Sequence, residues 1–169
     1  MPIYFTDRFD LSTVTAGYCT AACVFAGSLV RPVGGALADR IGGVRTLSTV
    51  FVVAAIALAG VGSAPDVASA LALFVVAMLA LGTGNGAVFQ LVPQRFAAEL
   101  GVMTGLVGMA GGIGGFYLAS SLGIAKQLTG SFQPGFLVFA ALALVALAAL
   151  TLVKRGWRRS WTPAAGVRI

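Results

Sequence analysis

Arg31 is the residue in this chain best suited to chemistry by its type and place. It lies within an apolar run at 14–38 and is followed by Pro32, Gly34 and Gly35. A guanidinium near the centre of a membrane span costs about 2.5 kcal/mol or more, so such residues usually face a watery path or a partner. Its planar fork matches a planar oxyanion better than a lysine ammonium does. Two readings of Arg31 stand side by side. It is an anion-binding cation, or it snorkels to the nearer interface from a span that ends at Asp39.

Three further groups of residues have a type and spacing that could serve such a site. Gly101, Gly105, Gly108, Gly112 and Gly115 recur at helical steps and share one face, with Gly111 and Gly114 widening the stripe. A face of this kind lets another backbone approach closely, or lets a small ligand reach main-chain groups. In the segment 82–90, Thr83, Gly86 and Gln90 share one face, and Asn85 and Phe89 share another. Amides at membrane depth need hydrogen-bond partners, so these bond across helices or line a path. Asp39, Arg40 and Arg45 lie in a glycine-rich link, where Asp39 can cap a helix or pair with Arg40 or Arg45. That link reads as an ordinary basic loop, or as one that holds two helices in one state and releases them in another.

The remaining inventory argues against other chemistry. Cys19 and Cys23 share a helix face and read as small packing residues. With no histidine and no nearby carboxylate, no metal site is expected. Asp39, Asp66 and Glu99 fall in links or at helix ends, so no proton relay is evident within a span. No nucleophile–base pair and no cofactor motif appears. The Gly101–Gly115 stripe is neither a P-loop nor a dinucleotide turn. No enzyme activity, no cofactor and no nucleic-acid partner is expected.

The elements that must position these residues are membrane helices. Of 169 residues, 59% are hydrophobic and 9% are charged, against roughly 25% charged in soluble domains; mean hydropathy is +0.98. Runs at 14–38, 46–62, 67–92, 102–125 and 134–153 are each about long enough to cross a bilayer core. The fold class is therefore all-α membrane protein with about five spans. Ser12 reads as the N-cap of the first, and Ser63 to Asp66 as a turn after the second. Residues 1–13 form the outer end of a helix and a loop, 14–153 the transmembrane bundle, and 154–169 a basic, disordered tail facing lipid. Trp157 and Trp161 look like interfacial anchors of that tail. No secretory signal peptide is read at the start.

Basic residues set the orientation. One side of the membrane collects Arg40, Arg45, Arg95, Lys154, Arg155, Arg158, Arg159 and Arg168, and the other only Arg8 and Lys126. The richer side is the cytoplasm, which holds the C-terminus of a multi-pass protein of the plasma (inner) membrane.

Taken together, Arg31-Pro32-Val33-Gly34-Gly35 leading to Asp39-Arg40-Ile41-Gly42-Gly43, the run Gly84 to Gln90, and the stretch Gly105 to Phe116 resemble the nitrate/nitrite porter family of the major facilitator superfamily. Gly108 to Phe116 is similar to that family's second nitrate signature. The resemblance covers nearly the whole chain, but only the C-terminal half of such a transporter. It implies that the five spans correspond to the eighth to twelfth helices, with Met1 to Phe5 at the outer end of the seventh. It further implies substrate binding at Arg31, Asn85, Gly108, Gly111, Gly112 and Gly115, and gating at Asp39, Arg40 and Arg45. The implied partners are nitrate or nitrite, the lipid bilayer, and an N-terminal half or partner subunit.

The leading reading is nitrate/nitrite transport by alternating access as one half of a transporter. A carrier of another small anion, or a truncated membrane protein that does not transport, are the alternatives.

Overall fold

Ser12 ends a short loop and starts the first long helix, because its hydroxyl accepts the Thr15 N–H at 3.2 Å. The computed structural model describes residues 1–160, without the side chains of Arg95 and 155–160. In chain order the helices are α1 (Pro2–Phe9), α2 (Thr13–Leu29), α3 (Arg31–Ile41), α4 (Gly43–Val61), α5 (Val67–Arg95), α6 (Leu100–Thr129) and α7 (Gln133–Ser160). A 3₁₀ turn, Ala97–Glu99, joins α5 to α6. No strand occurs among the described residues.

Five helical segments are long and apolar enough to cross a membrane: Thr13–Ile41, Gly43–Val61, Val67–Gln94, Ala97–Thr129 and Gln133–Lys154. The spans expected from the sequence are all present. The first is two helices, α2 and α3, with a turn at Val30. Pro32 has no N–H for the Ser28 carbonyl and its ring crowds that turn, so the break falls immediately before Arg31-Pro32. The last helix continues beyond its membrane segment, Gln133–Lys154, to Ser160. The rest of the expected tail, with Trp161 and Arg168, lies outside the described residues, as do the side chains of Arg155, Trp157, Arg158 and Arg159.

Local chemistry fixes the other ends. Asp66 caps α5 through the Ala68 and Ser69 N–H groups, and the Ser69 side chain answers in a capping box. Those hydrogen bonds, led by the one from the Ser69 hydroxyl, hold the Asp66 carboxyl below its ordinary pKa. The α3–α4 link turns at Gly42, whose φ of 98° disfavours any side chain.

The helices α2, α3 and α4 pack around α5, and α7 lies on α4. Glycines permit the tightest crossings. A Cβ added to Gly82 would collide with the Gly27 carbonyl, one added to Gly34 with the Thr83 carbonyl, and one added to Gly86 with the Arg31 carbonyl. Backbone therefore meets backbone along α2–α3 and α5, as small residues allow in membranes. At the opposite end from Gly42, α1 plugs into an aromatic cluster. Tyr4 and Phe5 are buried there with Phe74, Phe136 and Phe139. The Tyr4 hydroxyl donates to the Val61 carbonyl at 2.7 Å, and Arg8 donates to the Ala64 carbonyl at 3.1 Å.

Candidate functional site

Arg31 opens α3 at the break. Gly27 is the midpoint of the 29-residue segment Thr13–Ile41, and Arg31 stands four residues beyond it, about 6 Å along the axis. Its carbonyl abuts Gly86 of α5. The residue is exposed, and no ion pair or side-chain hydrogen bond to it occurs among the described residues. The guanidinium is thus an uncompensated cation on the α3–α5 pair.

Asn85 precedes Gly86 and is partly buried. It lies one turn from Leu81, on a face that continues through Leu81 and Met78 into a cavity of about 660 Å³. Phe74, Leu118, Leu122 and Phe136 also line this cavity. On α6, Leu118 and Leu122 continue the helical stripe of Gly108, Gly111, Gly112 and Gly115. One long face thus begins as cavity wall and becomes backbone-exposing toward the Gly101 end.

That glycine face is open. A Cβ added at Gly101, Gly105, Gly108, Gly111, Gly112, Gly114 or Gly115 would meet no atom within 4 Å. Within the described residues the stripe therefore serves no close helix packing, and the structure does not bring it into contact with Arg31. The structure joins Arg31 to the Asn85–Gly86 turn and leaves the α6 glycines as a separate wall.

Asp39 accepts a hydrogen bond from the Gln90 amide at 2.5 Å. Of the pairings expected for Asp39, the one with Arg45 is replaced by this bond to a residue 51 positions away. The reason is helical phase: Thr83, Gly86 and Gln90 share the α5 face that meets α3 at Gly34, Arg31 and Asp39 respectively. Of the two readings of this segment's amides, Gln90 takes the bond across helices. Asp39, Arg40 and Arg45 are all exposed, and Arg40 is engaged in an interaction of its own. The sequence pattern had placed Gln90 on this face without naming its partner. The Oε1 atoms of Gln90 and Gln94, one turn apart, are buried without a partner among the described residues.

Cys23 is buried and Cys19 partly so, both as free thiols, consistent with packing roles. No cluster of metal-ligating side chains occurs among the described residues.

Comparison with known proteins supplies the lineage. Residues 1–166 match the family description "Major Facilitator Superfamily". The chain is 35% identical over 151 residues to a "Probable nitrate transporter NarT" of Staphylococcus carnosus, covering 87% of this chain and 38% of that protein. It is 36% identical over 155 residues to a "Nitrite extrusion protein" of Bacillus subtilis, covering 90% of this chain and 38% of that protein. A "Probable nitrate transporter NarT" of Staphylococcus haemolyticus is 32% identical over 150 residues, again across 38% of its length. The chain thus spans well under half the length of these relatives. No solved structure matches. With its five apolar spans, its backbone-to-backbone helix crossings and this family match along nearly its whole length, the chain is a multi-pass membrane protein that belongs to the Major Facilitator Superfamily and is similar to its nitrate/nitrite porters.

Proposed function

We propose that this chain forms one half of a nitrate/nitrite carrier that works by alternating access, with Arg31 supplying positive charge to the anion. The observation that carries the reading is an unpaired guanidinium about 6 Å from the midpoint of its span. A hydrocarbon core is about 30 Å thick, so Arg31 in a centred span stands about 9 Å short of the nearer boundary. An arginine stem of about 7 Å falls short of that distance, which disfavours snorkelling and favours a polar passage.

In this reading Asn85 and the open glycines Gly108, Gly111, Gly112 and Gly115 line the path. They offer neutral polar groups that select by shape. The facing wall, with further charge, comes from an N-terminal half or a partner subunit, and the substrate sits between the halves near the bilayer midplane, as is usual for this architecture. Asp39, Arg40 and Arg45 bias the carrier between its two closed states. The link that carries them faces the cytoplasm of a plasma (inner) membrane, with the C-terminus on the same side, in keeping with the excess of basic residues there. The role is transport, with no enzymatic step.

The test is anion flux into proteoliposomes containing the chain together with whatever additional segments or subunit its gene neighbourhood encodes. Nitrate, nitrite, formate and an organic anion are compared, with and without a pH gradient. Nitrate or nitrite flux is expected, and Arg31→Lys is expected to reduce it at least tenfold, because a point charge replaces a bidentate fork. Flux of nitrate and nitrite by the Arg31→Lys protein equal to the parent's would remove the substrate role of Arg31.

A further inference from the structure

The seam between α3 and α5 has two sides. On α3, helical phase puts Arg31 and Gly35 on one side of the buried line Gly34–Ala38, and Leu37 and Ile41 on the other. On α5 it puts Asn85 and Met78 on one side of Gly82 and Gly86, and Val76 and Thr83 on the other. The segments run parallel, since Gly27 meets Gly82 and Asp39 meets Gln90. Arg31 therefore shares its side with Asn85, and Leu37 shares the opposite side with Thr83. On that opposite side α4 stands beside the seam and completes a groove of about 280 Å³. Ala80 and Thr83 of α5 form its floor, Leu37 and Ile41 of α3 one wall, and Thr49 and Val53 of α4 the other.

The groove is apolar although threonines line it. The Thr46 hydroxyl donates to the Gly42 carbonyl at 3.0 Å, and the Thr49 hydroxyl to the Arg45 carbonyl at 3.2 Å, so both donors are spent on their own helix. Its length along α4, from Thr46 to Val53, is about 10 Å at helical rise. Val53 adjoins Val52, the midpoint of the span Gly43–Val61. The groove thus runs from near the α3–α4 link to the bilayer midplane, most of the roughly 15 Å of hydrocarbon in one leaflet. Arg45 stands one turn from Thr49 at the link end of the same wall. It is exposed, and no ion pair or side-chain hydrogen bond to it occurs among the described residues. An apolar slot one leaflet deep, with a cation at its headgroup end, is the complement of an anionic amphiphile.

We propose that this groove holds one acyl chain of an anionic phospholipid whose phosphate pairs with Arg45. The guanidinium fork suits a phosphate, and the link belongs to the side richer in basic residues, which attracts a net negative headgroup over a zwitterionic one. In the carrier proposed above the facing half stands on the Arg31 side, so the groove turns to lipid. That orientation rests on the carrier reading; the groove and its cation do not.

The test is native mass spectrometry of the chain as its gene encodes it, released from nanodiscs of equal parts phosphatidylglycerol and phosphatidylcholine. The parent is expected to retain phosphatidylglycerol in preference to phosphatidylcholine. Arg45→Gln, which removes the charge, and Val53→Trp, which fills the groove, are each expected to retain one phosphatidylglycerol fewer. The double variant is expected to lose no more than either alone, because both changes strike one site. Arg45→Lys is expected to keep the lipid, as is Val145→Trp on an exposed face of α7. Equal retention of the two lipids by the parent, or an unchanged count in Arg45→Gln, overturns the proposal. A count unchanged by Val53→Trp shows a headgroup bound without the groove, and a double variant that loses two shows separate sites; either overturns it as well. A parent that retains neither lipid shows the groove covered by further protein and does the same. Leu79→Phe narrows the groove from α5 and decides the matter if Val53→Trp fails to fold. Retention is read without flux, so failure of nitrate transport and failure of lipid binding are told apart.

Discussion

Replacing Gly86 by alanine probes one of the closest contacts in the bundle. The new Cβ would be driven into the Arg31 carbonyl, with the Gly35 nitrogen at 2.9 Å and the Arg31 carbonyl carbon at 3.0 Å. These are main-chain atoms of α3, so no side chain can swing aside. Restoring van der Waals separation near 3.5 Å from the carbonyl oxygen requires the two helices to part by about 1.5 Å. Helices that part also loosen Gly34 against Thr83 and strain the Asp39–Gln90 hydrogen bond, since both lie on the same line of contact. Overpacking of a well-packed site costs about 1–3 kcal/mol, which is roughly a 5- to 150-fold loss in folding equilibrium and, for a chain of this size, a fall in melting temperature of about 2–12 °C. Alanine's helix propensity returns about 1 kcal/mol at most, so the net sign stays destabilising toward the upper part of the range. The control is Gly112→Ala, where an added Cβ meets nothing within 4 Å; there propensity acts alone and stability should hold or rise. Cys23, 0% exposed, is a built-in reporter: in a Cys19→Ser background, its reaction with a thiol-reactive dye during heating in detergent tracks unfolding. If Gly86→Ala melts at or above the parent while Gly112→Ala behaves the same way, the main-chain contact between α3 and α5 is not as close as described.

Three other outcomes follow from the same geometry. Tyr4→Phe strands the Val61 carbonyl in a buried site and should cost about 1–3 kcal/mol, measured as a lower melting temperature in the same dye assay; an unchanged value means that water or another donor serves that carbonyl. Gln90→Leu removes the donor to the Asp39 carboxylate and is expected to cost about 1.5 kcal/mol, the low end for a bond to a charged group because Asp39 is exposed; Gln90→Asn, too short to reach, should match it, whereas a neutral result in both would deny the bond any energetic role. The Asp66 carboxyl has its pKa lowered by the fold, so its contribution to stability is fully present above the unfolded value, about 3.9, and is lost as pH falls through the lower folded value. Ser69→Ala removes the leading cause and should move the Asp66 titration upward in carboxyl-carbon NMR; a titration that stays put assigns the shift to the backbone N–H groups instead.

Much of the fold is legible in the residues because its causes are local. The length of an apolar run sets a span, Ser12 and Asp66 set helix starts, and Gly42 sets a turn through its own φ. The break before Arg31 is local too, written in Pro32, yet the hydropathy of 14–38 hides it, since a kinked helix and a straight one are equally apolar. Of the candidate site, the membership of Arg31, Asn85 and the glycines in helices could be read, as could the shared face of Thr83, Gly86 and Gln90. Which face meets which neighbour could not, because lipid asks every face to be apolar and leaves no amphipathic stripe to mark the inside.

Two sets of glycines make the division plain. Those of α5 and those of α6 look alike as sequence, with small residues at helical spacing. Only the packed chain distinguishes them: Gly82 and Gly86 are filled by the backbone of α2 and α3, while Gly108 to Gly115 stand open. The sequence by itself determined the number of spans and the presence of a cation inside one of them, both consequences of residues near in the chain. The tertiary structure alone decided that Asp39 is held by Gln90, that α1 binds Lys126 through Asp7, and that the α6 glycines are a free wall. Those facts depend on the approach of segments dozens of residues apart, and the energies that select one approach are sums of contacts no single segment contains.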